Sequence, residues 1–136
     1  MKAYLAAIAL VLAGGTASAQ SVEVGTARWD RFPALQAKPS RLDHAALATT
    51  VEALLKNKQC TFAHQSARRF DISVPYAVQF DDGGKVSRVL VANMGCTPLE
   101  TLVGHAVLAQ ADAGDFLPGS GGAGRWYAGS LNFNLQ

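Results

Sequence analysis

The fold is decided by residues 72–106, which read ISVPYAVQFDDGGKVSRVLVANMGCTPLETLVGHA. At the start of this stretch, every second residue is apolar: Ile72, Val74, Tyr76, Val78 and Phe80. Such alternation is typical of a strand with one buried face. An Asp-Asp-Gly-Gly sequence at residues 81–84 favours a tight turn, and residues 86–92 form a second apolar run. The pattern predicts a β-hairpin, with regular pairing either open at Pro75, which has no N–H, or beginning after it.

A helix start follows the hairpin. Thr97 is a suitable N-cap, Pro98 suits the first helical position, and Glu100 completes a Thr-x-x-Glu capping box. Apolar residues then recur at helical spacing on one face: Leu99, Leu102, Val103, Ala106 and Val107. Because this helix has one face to bury, we expect it to pack on the apolar face of the hairpin.

Two further elements flank this unit. Residues 40–57 predict a first helix, with Ser40 and Asp43 near its start and an apolar stripe of Leu47, Val51, Leu54 and Leu55. Residues 125–135 predict a last strand, with an apolar face and a mostly polar face that carries Trp126, Ala128, Ser130, Asn132 and Asn134. We therefore expect an α+β fold, in which a three-stranded antiparallel sheet has two helices packed on one face.

The N-terminal residues predict export. Lys2 precedes an apolar run at residues 3–13 that is short for a bilayer span, and residues 17–19 are small enough for cleavage before Gln20. We interpret residues 1–19 as a signal peptide, residues 20–39 as an N-terminal arm with a short strand near Val22 and Val24, and residues 40–136 as the domain. An uncleaved membrane anchor is the alternative. The expected location is the periplasm.

The net charge and the number of cysteines limit which classes of function fit the sequence. A formal net charge of +2 over 136 residues argues against nucleic acid as the defining partner. The sequence has two cysteines, Cys60 and Cys96, and an exported chain is expected to join them in a disulfide. The open alternative is a reactive thiol near His64 or His105.

Nothing in the sequence demands an enzyme, a metal or another cofactor. The three histidines, His44, His64 and His105, lack the paired spacing of metal ligands, and we expect His44 and His105 to face water. The glycine-rich residues 114–124 are followed by strand-like sequence rather than by the Lys-Ser or Lys-Thr of a phosphate-binding loop. Asp81 and Asp82 are explained by the turn that they occupy. We expect no catalytic residues.

The order of these elements resembles the TonB C-terminal domain family of periplasmic proteins. The hairpin pattern of the family is matched by residues 78–86, and the link into its Leu-rich helix by residues 93–100. An aromatic residue and a proline follow at residues 116–118, and residues 130–135 look like the closing strand. The resemblance covers roughly residues 43–136 and implies a domain whose sheet edge pairs with an extended peptide.

The chain also departs from that family. Where its energy transducers carry a membrane helix and a long Pro-rich spacer, we expect a signal peptide and an ordinary arm, and the Tyr-Pro that opens their first helix is missing. The leading hypothesis is a periplasmic interaction domain without cofactors. Its last strand would pair with an envelope protein or peptide, such as an outer-membrane receptor segment, or with a second copy as a homodimer. The alternatives are a secreted enzyme or thiol protein that uses Cys60 or Cys96 with a histidine, and an accessory subunit of an envelope complex.

Overall fold

A four-stranded mixed sheet forms the centre of the protein. The structure is a computed structural model that describes residues 21–62 and 70–135, so the predicted signal peptide and His64 lie outside the described residues. The elements are β1 (Ser21–Gly25), a 3-10 helix (Trp29–Arg31), β2 (Gln36–Ala37), α1 (His44–Lys56), β3 (Phe70–Phe80), β4 (Val86–Ala92), α2 (Thr97–Asp112), β5 (Phe116–Leu117) and β6 (Trp126–Leu135). Among these helices, none is long and apolar enough to cross a membrane.

The sheet order is β1-β4-β3-β6, and β2 and β5 form a separate two-stranded sheet. The predicted α+β class is confirmed, but the sheet has four strands rather than three and is mixed rather than antiparallel. Its antiparallel part is β4-β3-β6, and β1 joins β4 in parallel. The sequence did not predict β1 as a fourth strand of this sheet. Its partner lies more than sixty residues away, at Arg88 to Ala92, and local periodicity carries no sign of such a pairing.

The β3–β4 hairpin follows the predicted pattern. Its turn is held by Asp81, whose Oδ1 accepts hydrogen bonds from the N–H groups of Gly83 and Lys85, at 2.9 and 3.0 Å. Gly84 takes a φ of 77°, which a residue with a Cβ rarely adopts. Pairing with β4 begins at Tyr76, directly after Pro75, as one of the two predicted arrangements requires.

Both helices begin one or more residues away from the predicted start. The N-cap of α1 is Asp43, which accepts a 3.0 Å hydrogen bond from the N–H of Ala46, so Ser40 lies outside the helix. The N-cap of α2 is Cys96 rather than Thr97, and Cys96 makes no side-chain cap. The N–H of Cys96 itself donates to the carboxylate of Glu100.

Glu100 is buried, and its Oε2 accepts hydrogen bonds from the N–H groups of Met94 at 2.8 Å and Cys96 at 3.2 Å. The predicted capping box is therefore wrong in its Thr97 half. The Glu100 half is present, because this carboxylate binds main-chain donors at the start of the helix, where the macrodipole also favours a negative charge.

The core lies between the helices and one face of the sheet. α1 contacts β6, and α2 contacts β4. Fully buried side chains come from both layers and include Val51, Val74, Val78, Val89, Val91, Leu99, Val103 and Val107. The predicted Cys60–Cys96 disulfide is present, with a Cα–Cα distance of 5.4 Å, and it joins the end of α1 to the start of α2.

Tyr76 makes the stability of this core sensitive to alkaline pH. Burial raises the pKa of the Tyr76 phenol from 10.0 to about 12, because the phenolate is poorly solvated inside the protein. The unfolded chain then releases this proton at a lower pH than the folded protein, so stability falls as pH rises through this range. We expect the group to reduce the free energy of unfolding by about 1.4 kcal/mol at a pH of about 11 and to have no effect below a pH of about 9.

Urea unfolding of the wild type across this pH range, compared with Tyr76→Phe, measures the effect. The variant has no phenol to ionise and should show a correspondingly smaller loss between these pH values. Parallel curves for the two proteins would contradict the assignment to Tyr76.

Candidate functional site

β6 lies at one end of the sheet and pairs with β3 along its whole length, from Trp126 opposite Gln79 to Leu135 opposite Phe70. Its odd-numbered residues Tyr127, Leu131, Phe133 and Leu135 are buried under the helices. Its even-numbered residues include all five that we predicted as partner-binding, and their side chains project from the opposite face. Of these, Ser130, Asn132 and Asn134 are exposed, whereas Trp126 and Ala128 are partly buried.

The main chain of the even-numbered residues points away from the sheet. The N–H of Ala128 donates to the carbonyl of Pro33 at 2.9 Å, and the carbonyl of Ala128 accepts from the N–H of Leu35 at 2.8 Å. Because main-chain groups alternate in direction along a strand, Ser130, Asn132 and Asn134 also direct their N–H and C=O groups outward. Among the described residues, none of these six groups has a hydrogen-bond partner.

The N-terminal arm covers the other end of this edge. Phe32 stacks on Trp126 with ring centroids 6.4 Å apart, and Trp29 contacts Phe32 edge-on at 6.1 Å. The guanidinium of Arg88 lies 5.0 Å from the centroid of the Trp126 ring. Trp126 and Ala128 are therefore occupied by contacts within the chain, and the exposed part of the predicted site is its second half.

The arm leaves the edge of β6 after Leu35, because the residues that follow pair with β5 instead. Gln36 and Ala37 pair with Leu117 and Phe116 of β5, and the N–H of Lys38 donates to the carbonyl of Asp115 at 2.7 Å. These bonds draw the chain toward the start of α1. Among the residues that the structure describes, none pairs with the outer edge of residues 130–135, and the uncharged side chains of this segment include none of the lysines that protect many edge strands.

Sequence reasoning did not identify a second edge. β1 lies at the opposite end of the sheet, and its Val22 and Val24 are 37 and 48 % exposed. The alternation of Val22, Glu23 and Val24 indicated a strand, and that prediction is confirmed. The sequence held no signal that this strand closes one side of the sheet.

Of the residues considered for thiol or histidine chemistry, the structure describes Cys60, Cys96, His44 and His105. Cys60 and Cys96 are bonded to each other, so neither supplies the free thiol that the thiol alternative needs. His44 and His105 are exposed on α1 and α2, as expected. Within residues 21–62 and 70–135, no group of three or more histidine, cysteine or acidic residues could hold a metal ion.

Comparison with known proteins does not add an identity. No family model matches the chain. No curated protein and no solved structure matches it either.

Proposed function

We propose that the protein is a periplasmic interaction domain that binds an extended segment of an envelope protein by strand addition at Ser130, Asn132 and Asn134. The observation that carries the proposal is the outward direction of six main-chain groups on these residues, for which the described part of the chain supplies no hydrogen-bond partner. An extended peptide satisfies such groups by becoming the next strand of the sheet. Affinity then comes from the main chain, and selectivity comes from the side chains on either face.

The geometry limits the length of the partner strand. The arm occupies the same edge at Ala128, so a partner that leaves the arm in place can pair only with residues 130–135. One face of the added strand would lie beside the polar side chains of Ser130, Asn132 and Asn134. Its other face would extend the apolar layer formed by Leu131, Phe133 and Leu135 beneath α1. A short segment that alternates polar and apolar residues meets both conditions.

The resemblance to the TonB C-terminal domain family supports the same mode of binding. That likeness makes a segment of an outer-membrane receptor the first candidate partner, and it connects the domain with transport across the envelope. A second copy of the chain is the alternative occupant. In an antiparallel pair with Asn132 opposite Asn132, Ser130 would lie opposite Asn134, so no like charges would face each other.

A proline at residue 132 tests the proposal. Asn132→Pro deletes an outward N–H and places a ring where a partner strand would approach, while the hydrogen bonds between β6 and β3 come from the odd-numbered residues. We expect peptides selected from a random display library on the wild-type protein to lose at least about tenfold in affinity for this variant, which corresponds to about 1.4 kcal/mol. Asn132→Ala, which keeps the N–H, should bind as the wild type does.

Amide hydrogen exchange followed by NMR locates the bound peptide. The N–H groups of Ser130, Asn132 and Asn134 should gain protection when the peptide is added. Sedimentation of the protein alone separates the homodimer, which would protect the same amides without peptide. The proposal is refuted if no selected peptide distinguishes the wild type from the proline variant, or if protection is confined to strands other than β6.

A further inference from the structure

A second interaction surface lies at the other end of the sheet, between β1 and α2. A groove of about 400 Å³ is lined by Val22 and Val24 on one side and by Thr101, His105 and Leu108 on the other, with Gly104 and Glu100 between them. Val22 and Val24 are two of the three large apolar residues that are most exposed in the described part of the chain. Both valines lie on one face of a strand at the end of the sheet, so a partner strand added beside β1 would cover them.

The groove exists because β1 lies close to α2. A Cβ atom at residue 104 would lie only 2.9 Å from Cγ1 of Val22, so a glycine at this helical position admits the strand. Gly104 itself is buried, whereas Val24, one step further along β1, remains nearly half exposed. β1 therefore lies close to α2 at Val22, whereas the apolar side chain of Val24 stays exposed.

Within the described residues, no strand pairs with the outer edge of β1. The carbonyl of Gly25 accepts a 2.9 Å hydrogen bond from the N–H of Asn93, so Gly25 directs its main chain toward β4. By the alternation of a strand, Glu23 and Ser21 do the same, and the main-chain groups of Val22 and Val24 point outward. An added strand would bond to these two residues while its side chains on the helix side enter the groove.

The charge of Glu23 limits which partner strand can be added to β1. Glu23 lies between the two valines on the opposite face of the sheet, where its carboxylate forms a 2.7 Å ion pair with Arg88, and both side chains are more than two-fifths exposed. In an antiparallel pair of β1 strands that uses all the outward groups, Val22 faces Val24 and Glu23 faces Glu23. Like charges directly opposite each other are unfavourable, so a second copy of this chain fits poorly.

We propose that the groove binds an extended segment of another protein in which two apolar residues flank a basic residue. The apolar side chains enter the groove beside Val22, Val24 and Leu108, and the basic side chain lies opposite Glu23, which it shares with Arg88. This surface is separate from the edge at Ser130, Asn132 and Asn134, whose side chains carry no charge. The two ends of the sheet therefore select different partners.

A matched pair of synthetic peptides tests the inference. Both are end-blocked nine-residue peptides that alternate threonine and valine, beginning with threonine, so that valine stands on both sides of the central residue. That residue is lysine in one peptide and glutamate in the other. We expect fluorescence anisotropy at low salt to show that the wild type binds the lysine peptide roughly tenfold more tightly. Glu23→Lys should reverse this preference, and Glu23→Gln should at least abolish the preference for lysine, because it removes the carboxylate and leaves Arg88 without its ion-pair partner. Val24→Ser should weaken the binding of both peptides.

The Asn132→Pro variant separates this surface from the proposed function. It should bind the lysine peptide as the wild type does, whether or not β6 has a partner. Failure of the wild type to bind the lysine peptide, an unchanged preference in both Glu23 variants, or loss of binding in Asn132→Pro would overturn the inference.

Discussion

Removal of the disulfide is expected to cost about 4 kcal/mol of unfolding free energy. Cys60 and Cys96 are separated by 36 residues, and cross-linking them restricts the unfolded chain. Both cysteines are buried, and their bond is the covalent link between the end of α1 and the start of α2. A loss of this size is a large share of the stability of a small domain. The double variant Cys60→Ala/Cys96→Ala should therefore unfold at a much lower urea concentration than the wild type.

Equilibrium urea unfolding of the double variant and of the oxidised wild type gives this difference. Wild-type protein kept reduced with a thiol reagent is the matched control, because it lacks the bond but keeps both side chains. The double variant and the reduced wild type should have similar free energies of unfolding. A difference of less than about 1 kcal/mol from the oxidised protein would show that the bond contributes little, as strained cross-links do.

Gly129→Val is expected to destabilise the protein by about 3 kcal/mol, because the site has no room for a side chain. Gly129 lies directly opposite Tyr76 in the β3–β6 register. A Cβ atom at residue 129 would lie 2.8 Å from Oη and 2.9 Å from Cζ of Tyr76. The Tyr76 ring also packs against Phe116 with centroids 6.1 Å apart, and both residues are buried, so the ring cannot move aside without disturbing the core.

Ser130→Val is the control for this substitution. It introduces the same side chain at the next residue of β6, where the side chain is exposed on the opposite face. Surface changes of this kind usually stay within about 0.5 kcal/mol. Urea unfolding should therefore separate the two variants clearly. Similar losses in both would mean that the strand, and not the space above Gly129, sets the cost.

Local pattern was enough for the hairpin and both helices. The alternation from Ile72 to Phe80 located β3, and the Asp-Gly turn chemistry was realised by Asp81 and Gly84. The observed start of α2 differs from the predicted start by one residue, because Pro98 fits the second helical position as well as the first. Propensity does not distinguish these two frames. The carboxylate of Glu100 selects one of them through its bonds to Met94 and Cys96.

Contacts between distant segments were beyond the reach of the sequence. The parity of β6 identified which side chains share a face, but not that the arm would occupy Ala128. That contact depends on Phe32 stacking on Trp126 across almost a hundred residues. The groove beside Val24 was equally inaccessible, since it requires β1 to join β4 and α2 to pass beside them.

The parallel pairing of β1 with β4 also leads us to expect an order of assembly. Ser21 to Gly25 are made early by the ribosome, yet their partners at Arg88 to Ala92 come much later in the chain. Until those residues are present, the N-terminal strand has no neighbour, whereas the β3–β4 hairpin closes between residues close in sequence. We therefore expect the hairpin to form early and β1 to dock late. If β1 docks last, the groove between β1 and α2 is completed only at the end of folding, and a ligand that needs this groove would bind the folded protein and not its precursors.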